Sequence, residues 1–340
     1  MNIEQQIDEA LNASTVAQQN TELGRLAEMF KDPVLRNIEI ILNEDRTDGT
    51  DRFRLSFGWI DKRPYAKQQG GPAERIELGD LAVIFIHDVT NARDPDKPLE
   101  GRCALMQAKL QDEVTPAGLN VLFDKSDLSS RNQFDLLERW GYINLYRNSR
   151  GDEEFDTSPF TLPKRTPPYG WFMGAYRQAQ DAQTQVASWM CGEPAMGAPC
   201  DKTLGEVIVS LCFSSSPCVG VKFSLPRQFN AASISDHWNR LVATLIELCS
   251  AQNLPKWGSR VAGAQSRLKG TIRQLLHFVS FGLMKAYDPT PSSTPTPRSL
   301  DDYLRTFKGT LAPSHKSEAA TPDDAHPMAV LIIVRKVLDH

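Results

Sequence analysis

This 340-residue chain lacks most of the short signatures that announce a common enzyme chemistry. Its six cysteines, Cys103, Cys191, Cys200, Cys212, Cys218 and Cys249, form no C-x-x-C pair. Cys212 and Cys218 flank a short turn at a spacing that fits no common zinc site. They read as reduced, mostly buried thiols of a cytosolic protein. The six histidines are scattered, with no H-E-x-x-H. Ser214, Ser215 and Ser216 have no G-x-S-x-G context and read as a turn. Gln69-Gly70-Gly71-Pro72 lacks the lysine and following helix of a phosphate-binding loop. No apolar run approaches the roughly 20 residues of a membrane span, and the acidic, polar N-terminus is not a signal peptide. A cytoplasmic protein without membrane contact is expected. The formal net charge of −4 gives no overall attraction to nucleic acid, so any such binding must rest on a local basic face. No internal repeat is visible.

What is present is an ordinary globular composition, 41% hydrophobic and 24% charged, which supports a substantial core. Residues 3–30 carry Ile7, Leu11, Val16, Leu23, Leu26, Met29 and Phe30 at loosely helical spacing. Asp32 as N-cap and Pro33 at the first position then start a helix with the stripe Val34, Leu35, Ile38, Ile41 and Leu42. Phe53, Leu55, Phe57 and Trp59 alternate as in a strand with one buried face. Asp127 or Ser129 caps a helix that Gly141 stops, and 142–147 is a short strand. The segment 32–147 therefore reads helix, three strands, helix, strand. Beyond it, 169–176 reads as a strand, and 205–213 with 218–225 as a hairpin. Ser233 or Ser235 caps an amphipathic helix, and a second helix spans 261–287. A Pro-rich linker and a short helix over 300–307 follow. The closing β run, 328–338, is too apolar to stay exposed and is expected beside 207–211.

The stretch 78–110 holds the chemistry. Two apolar runs, LAVIFI and CALM, are joined by a polar loop; LAVIFI does not alternate, as in a strand covered on both faces. Asp80 opens the first run, and Gln107-Ala108-Lys109 closes the second. Side chains alternate along a strand, so Gln107 and Lys109 share one face while Ala108 packs on the other. A divalent cation takes hard oxygen ligands, which Asp80 and the Gln107 amide can supply. Lys109 can orient an attacking water or stabilise charge developing on a phosphate. A core hairpin with polar ends is the plain alternative.

This arrangement, with D…Q-x-K at the ends of adjacent apolar strands, resembles the PD-(D/E)XK nuclease superfamily, in which Q-x-K can replace E-x-K. The likeness covers 32–147, about a third of the chain. It implies an α/β protein with a restriction-endonuclease-like core (αβββαβ, a mixed sheet flanked by helices) and a C-terminal α+β extension. The segments expected are an N-terminal helical segment at 1–31, the core at 32–180 and the extension at 181–287. A linker with a short helix at 288–327 and a returning strand at 328–340 follow. The resemblance implies hydrolysis of DNA phosphodiesters with Mg²⁺ or Mn²⁺ held by Asp80, Gln107 and an acid from the first helix. Glu39 is the choice for that acid, with Glu44 and Glu28 as rivals. Lys109 would position the nucleophile, and Glu77 and Gln133 would stand near the site. By analogy it also suggests a bacterial defence role, with room for a partner protein and for oligomers. Gln107 stands where a carboxylate, a tighter metal ligand, is commoner. The alternative is therefore a catalytically weak or inactive nuclease-like module that binds nucleic acid or a partner protein. Lys256, Arg260, Arg267, Lys269 and Arg273, in a stretch without acids from Glu247 to Asp288, are the candidate phosphate-contacting face; a solvated helix face explains them too. Lys164, Arg165, Tyr169 and Trp171 mix cations with rings that either stack on bases or lead into a core strand. His87 and Asp88 read as loop residues.

Overall fold

The computed structural model of the chain describes residues 1–13, 22–44, 51–60, 64–71, 74–91, 96–111, 119–120, 128–146, 159–176, 189–213, 219–251, 297–307 and 328–339. Three helices come first: α1 (Ile3–Ala13), α2 (Glu22–Met29) and α3 (Asp32–Asn43). Helix α3 buries Leu35, Ile38 and Leu42, as their spacing requires. Its N-cap is Lys31, not Asp32, so Asp32 is already helical and Pro33 lies in the first turn, where a missing N–H costs nothing.

The strands of the first half are β1 (Asp51–Ile60), β2 (Tyr65–Gln68), β3 (Ile76–Glu77), β4 (Leu81–Asn91) and β5 (Leu99–Gln111). After helix α4 (Leu128–Arg139) come β6 (Gly141–Tyr146), β7 (Phe160–Leu162), β8 (Gly170–Tyr176), β9 (Met190–Gly192) and β10 (Lys202–Thr203). The rest is α5 (Leu204–Phe213), β11 (Val221–Leu225), β12 (Gln228–Phe229), α6 (His237–Ala251), β13 (Arg298–Ser299), α7 (Leu300–Phe307) and β14 (Met328–Asp339).

The main sheet runs β1-β14-β4-β5-β8-β9-β10 and is mixed. β14 is antiparallel to β1 and parallel to β4; β4 and β5 are antiparallel; β5 and β8 are parallel. The outer edge of β5 is shared, with β11 along Leu99–Cys103 and β8 along Leu105–Gln111. Helices cover both faces. Ala82, Ile84 and Ile86 of β4 pack with α4, α6 and α7, while Leu81, Val83 and Phe85 pack with α1, α3 and α5. The unbroken apolar run of β4 is thus a strand buried on two sides. Helix α4 comes close to β8 because Gly170 has no side chain; a Cβ there would lie 2.2 Å from Leu137. Trp140 (φ 50) and Gly141 (φ 101) turn the chain out of α4 in left-handed conformations, which ends the helix where Gly141 predicts.

Several expectations are corrected. Residues 205–213 belong to a helix, not to one arm of a hairpin. Thr203 and Glu206 form a reciprocal capping box at its start, Thr203 N donating to Glu206 Oε2 (2.6 Å) and Glu206 N to Thr203 Oγ1 (3.1 Å). With no strand there to join, the C-terminal run inserts between β1 and β4. The strand after α4 in sequence, β6, pairs with β2 and β7 in a second sheet, so the strand that lies parallel to β5 is β8. Ser129 lies inside α4, and Asp127 lies outside the described residues. Asp236 caps α6, its Oδ1 accepting from Asn239 N (2.8 Å), in place of Ser233 or Ser235. His87 and Asp88 are strand residues of β4. The helix expected at 261–287 and the linker as far as residue 296 lie outside the described residues, and the linker's last residues form β13.

Five cysteines, Cys103, Cys191, Cys200, Cys212 and Cys249, are free and buried. Among the described residues no helix is long and apolar enough to cross a membrane. Helix α7 is tied to α6 by Tyr303, whose hydroxyl lies 2.9 Å from Phe229 O and 3.1 Å from Glu247 Oε1. Glu247 also accepts from Ala231 N (2.7 Å), yet burial lifts its carboxyl above the usual carboxylate range.

Two tests follow from this packing. Ile332, fully buried in β14, should cost about 2–5 kcal/mol when cut to alanine, read by urea denaturation; a loss below about 1 kcal/mol would mean that the strand is not central. Because the folded state raises Glu247's pKa, the protonated carboxyl favours folding, and that contribution disappears as pH rises through the raised value. Wild type should therefore lose stability relative to Glu247→Gln as pH climbs from about 4. A difference that is flat with pH would contradict the assignment.

Candidate functional site

Asp80 is the last residue before β4, and the backbone on both sides holds it. Its N–H donates to Met106 O (2.8 Å) of β5, and its carbonyl accepts from Ala329 N (2.8 Å) of β14. Leu81 stands opposite Met106, so Asp80 faces Gln107 across the hairpin. The carboxylate oxygen Oδ2 accepts from Ala108 N (2.8 Å) and from Gln107 Nε2. Both side chains are almost completely buried, Asp80 at 0% and Gln107 at 1% exposure. Ala108 packs in the opposite core, which leaves Gln107 and half-buried Lys109 on one face, as strand alternation predicts.

That face is the one α4 covers. Gln107 stands beside Phe172 of β8, and Phe134 of α4 stacks on Phe172 with ring centroids 6.3 Å apart. The neighbouring Gln133 is 3% exposed and donates from Nε2 to Glu77 Oε2 (3.1 Å). Its Oε1 is buried without a hydrogen-bond partner. Asp80, Gln107 and Lys109 thus come together at one end of one sheet face, and the Gln133–Glu77 pair links α4 to the strand that leads into Asp80.

Glu39 is not part of this group. Its Oε2 accepts from Leu55 N (3.0 Å) of β1. Leu55 stands opposite Ile333, which stands opposite Phe85, so Glu39 meets the sheet two strands away and well along from Asp80. The insertion of β14 between β1 and β4 creates that separation. Glu44 is exposed at the end of α3, and the Glu28 side chain lies outside the described residues. The N-terminal glutamate that does reach the end of β5 is Glu22, whose Oε1 accepts from Leu110 N (3.2 Å), the residue after Lys109. Local spacing carries no sign of a contact that spans 88 residues. Among the described residues no group of three or more His, Cys, Asp and Glu is placed so that it could hold a metal ion.

The other binding expectations divide in two. Lys256, Arg260, Arg267, Lys269 and Arg273 lie outside the described residues. Tyr169 and Trp171 are buried at 3% and 2% exposure, so the segment from Lys164 leads into β8 and offers no rings for stacking. Lys164 pairs with Glu138 (3.0 Å), and Arg165 lies 5.6 Å from the Tyr169 ring centre. Asp88 is held by Arg227 (2.8 Å), an ion pair of the scaffold. No family model matches the chain, and no curated protein or solved structure matches it either.

Asp80→Ala would leave the Ala108 N–H and the Gln107 amide without their acceptor inside the protein, at a cost of about 1–3 kcal/mol in equilibrium denaturation. Asp80→Asn keeps a carbonyl oxygen and should cost less. Lys109→Ala should stay within about 0.5 kcal/mol. If Asp80→Ala were as mild as Lys109→Ala, the clamp would have no energetic weight.

Proposed function

We propose that this chain is a metal-dependent nuclease that hydrolyses phosphodiester bonds in DNA, built on a restriction-endonuclease-like core. The observation that carries the proposal is the meeting of Asp80, Gln107 and Lys109 at one end of the antiparallel pair β4–β5, with Asp80 bonded to Gln107. The surroundings support it: α4 follows β5, and β8 lies parallel to β5 beyond it. The core would then be α3, β1, β4, β5, α4 and β8, with β14 added between β1 and β4.

The donor set fits a hard divalent cation in kind. Mg²⁺ is commonly held by only one or two carboxylates, with water and substrate phosphate oxygens completing its shell. Asp80 and the oxygen of Gln107 would hold Mg²⁺ or Mn²⁺, and the bound ion would polarise the phosphate and acidify a water. Lys109 would stabilise the charge that develops on the phosphate. Glu39, which bonds β1, has no part in this reading.

One observation favours a second reading, a nuclease-like module with weak or no catalysis that binds nucleic acid or a partner protein. Asp80 is fully buried, and one of its oxygens already accepts two hydrogen bonds. A bacterial defence role for either version rests on family analogy.

The two readings separate in one assay. Wild type, Lys109→Ala and Asp80→Asn are incubated with supercoiled plasmid and Mg²⁺ or Mn²⁺, and binding to a labelled duplex is followed by anisotropy. Nicking by wild type that falls by about 100-fold or more in Lys109→Ala supports the nuclease. Nicking that survives both substitutions removes these residues from the mechanism. Duplex binding without cleavage by wild type selects the module.

A further inference from the structure

The opposite face of the sheet carries a second polar group, roughly 20 Å along β4 from Asp80. His87 of β4 stands in register with Arg335 of β14 on one side and Glu100 of β5 on the other. Two residues back, Phe85 stands opposite Arg102 of β5, and Arg102 stands opposite Lys222 of β11. Strand alternation puts His87, Arg102, Lys222 and Arg335 on the face where Phe85 is buried, away from Gln107 and Lys109.

Two atoms there are anomalous. His87 Nε2 and Arg102 Nη1 are both buried and neither has a hydrogen-bond partner. Buried polar atoms are nearly always satisfied, and leaving a charged one unmatched is costly. The nearby charges do not cancel the cations. Arg335 is engaged by Asp51 through a bidentate pair (2.7 Å at its shortest). Asp88 is taken by Arg227 (2.8 Å) and approached by Lys336 (3.9 Å). Glu100 is exposed, and no ion pair joins it to Arg102 among the described residues. Burial, with Arg335 and then Lys97, lowers the pKa of His87 against the opposing pull of Glu100 and Asp88. The register thus gathers three cationic side chains, Arg102, Lys222 and Arg335, at this end of the face. The floor is aromatic: the Phe53 ring lies 6.5 Å from Phe85 and 5.3 Å from Phe213, which is 39% exposed.

We propose that Arg102, His87 and Lys222 form an oxyanion site for the phosphate group of a small ligand. The guanidinium fork suits bidentate contact with a phosphate, and Lys222 adds a second charge from the adjacent strand. The apolar floor strengthens both contacts by lowering the local dielectric. Phe213 offers a ring surface beside them for the organic part of a nucleotide. This site stands apart from the Asp80 group and does not depend on the nuclease reading.

The test uses the full chain in titration calorimetry with inorganic phosphate and, separately, with a nucleoside 5′-monophosphate. Wild type should bind at least one of them. Arg102→Gln should weaken binding by about tenfold or more, and His87→Asn and Lys222→Gln by smaller factors. Lys67→Gln, on β2 of the second sheet and outside both sites, should bind as wild type. Tighter binding of the nucleotide than of phosphate assigns the ligand to nucleotides, and equal binding assigns it to free phosphate; either supports the site. Circular dichroism checks folding, and Lys222→Gln, at an exposed strand position, decides the matter if Arg102→Gln does not fold. No binding of either probe to wild type overturns the proposal. So does binding that survives unchanged in Lys222→Gln together with every folded variant at Arg102 and His87.

Discussion

The insertion of β14 between β1 and β4 is the constraint on which the rest depends. Its backbone bonds both neighbours along nearly their whole length, and Ala329 N also fixes the carbonyl of Asp80. Met328, Val330, Ile332 and Val334 complete one core, while Ala329, Leu331 and Ile333 complete the other. Without it, β1 and β4 would each present an open apolar edge, and the first turn of the candidate site would lose one of its two backbone anchors. A central strand supplied by 328–339 also makes the sheet a product of distant pairings. Such topologies fold slowly because a long loop must close before the contacts that reward it exist.

The parts legible in the sequence are those encoded by local pattern. The unbroken run of β4 announces burial on two faces, and the Q-x-K spacing places Gln107 and Lys109 on one side of β5. The misread helix α5 shows the limit of pattern. A short apolar run such as VIVSLCF has no periodicity to separate a buried strand from a buried helix. The deciding signal was capping chemistry, since Thr203 and Glu206 stand three apart at the start of the run. The partner of β14, the choice of β8 over β6 beside β5, and the exchange of Glu39 for Glu22 near the end of β5 were not legible. Each depends on which distant segments meet, and one residue's neighbours in sequence do not report that.

Gln107 acquires a physical reason from its surroundings. A carboxylate at that position would stand against Asp80 at nearly complete burial, where two like charges resist ionising together. The amide instead donates to Asp80, and Ala108 N adds a second donor. The same residue that weakens a metal site allows the hairpin end to close without a counter-ion.

That exchange alters the charge balance of the site. With a glutamate at 107 the hairpin end would hold two negative charges and attract a dication by itself. With glutamine it holds one, and Lys109 carries a positive charge on the same face of β5. In the nuclease reading such a near-neutral pocket would bind a dication weakly until a phosphodiester brought further negative charge. Cation and nucleic acid would then enter as a linked pair, each raising the affinity for the other.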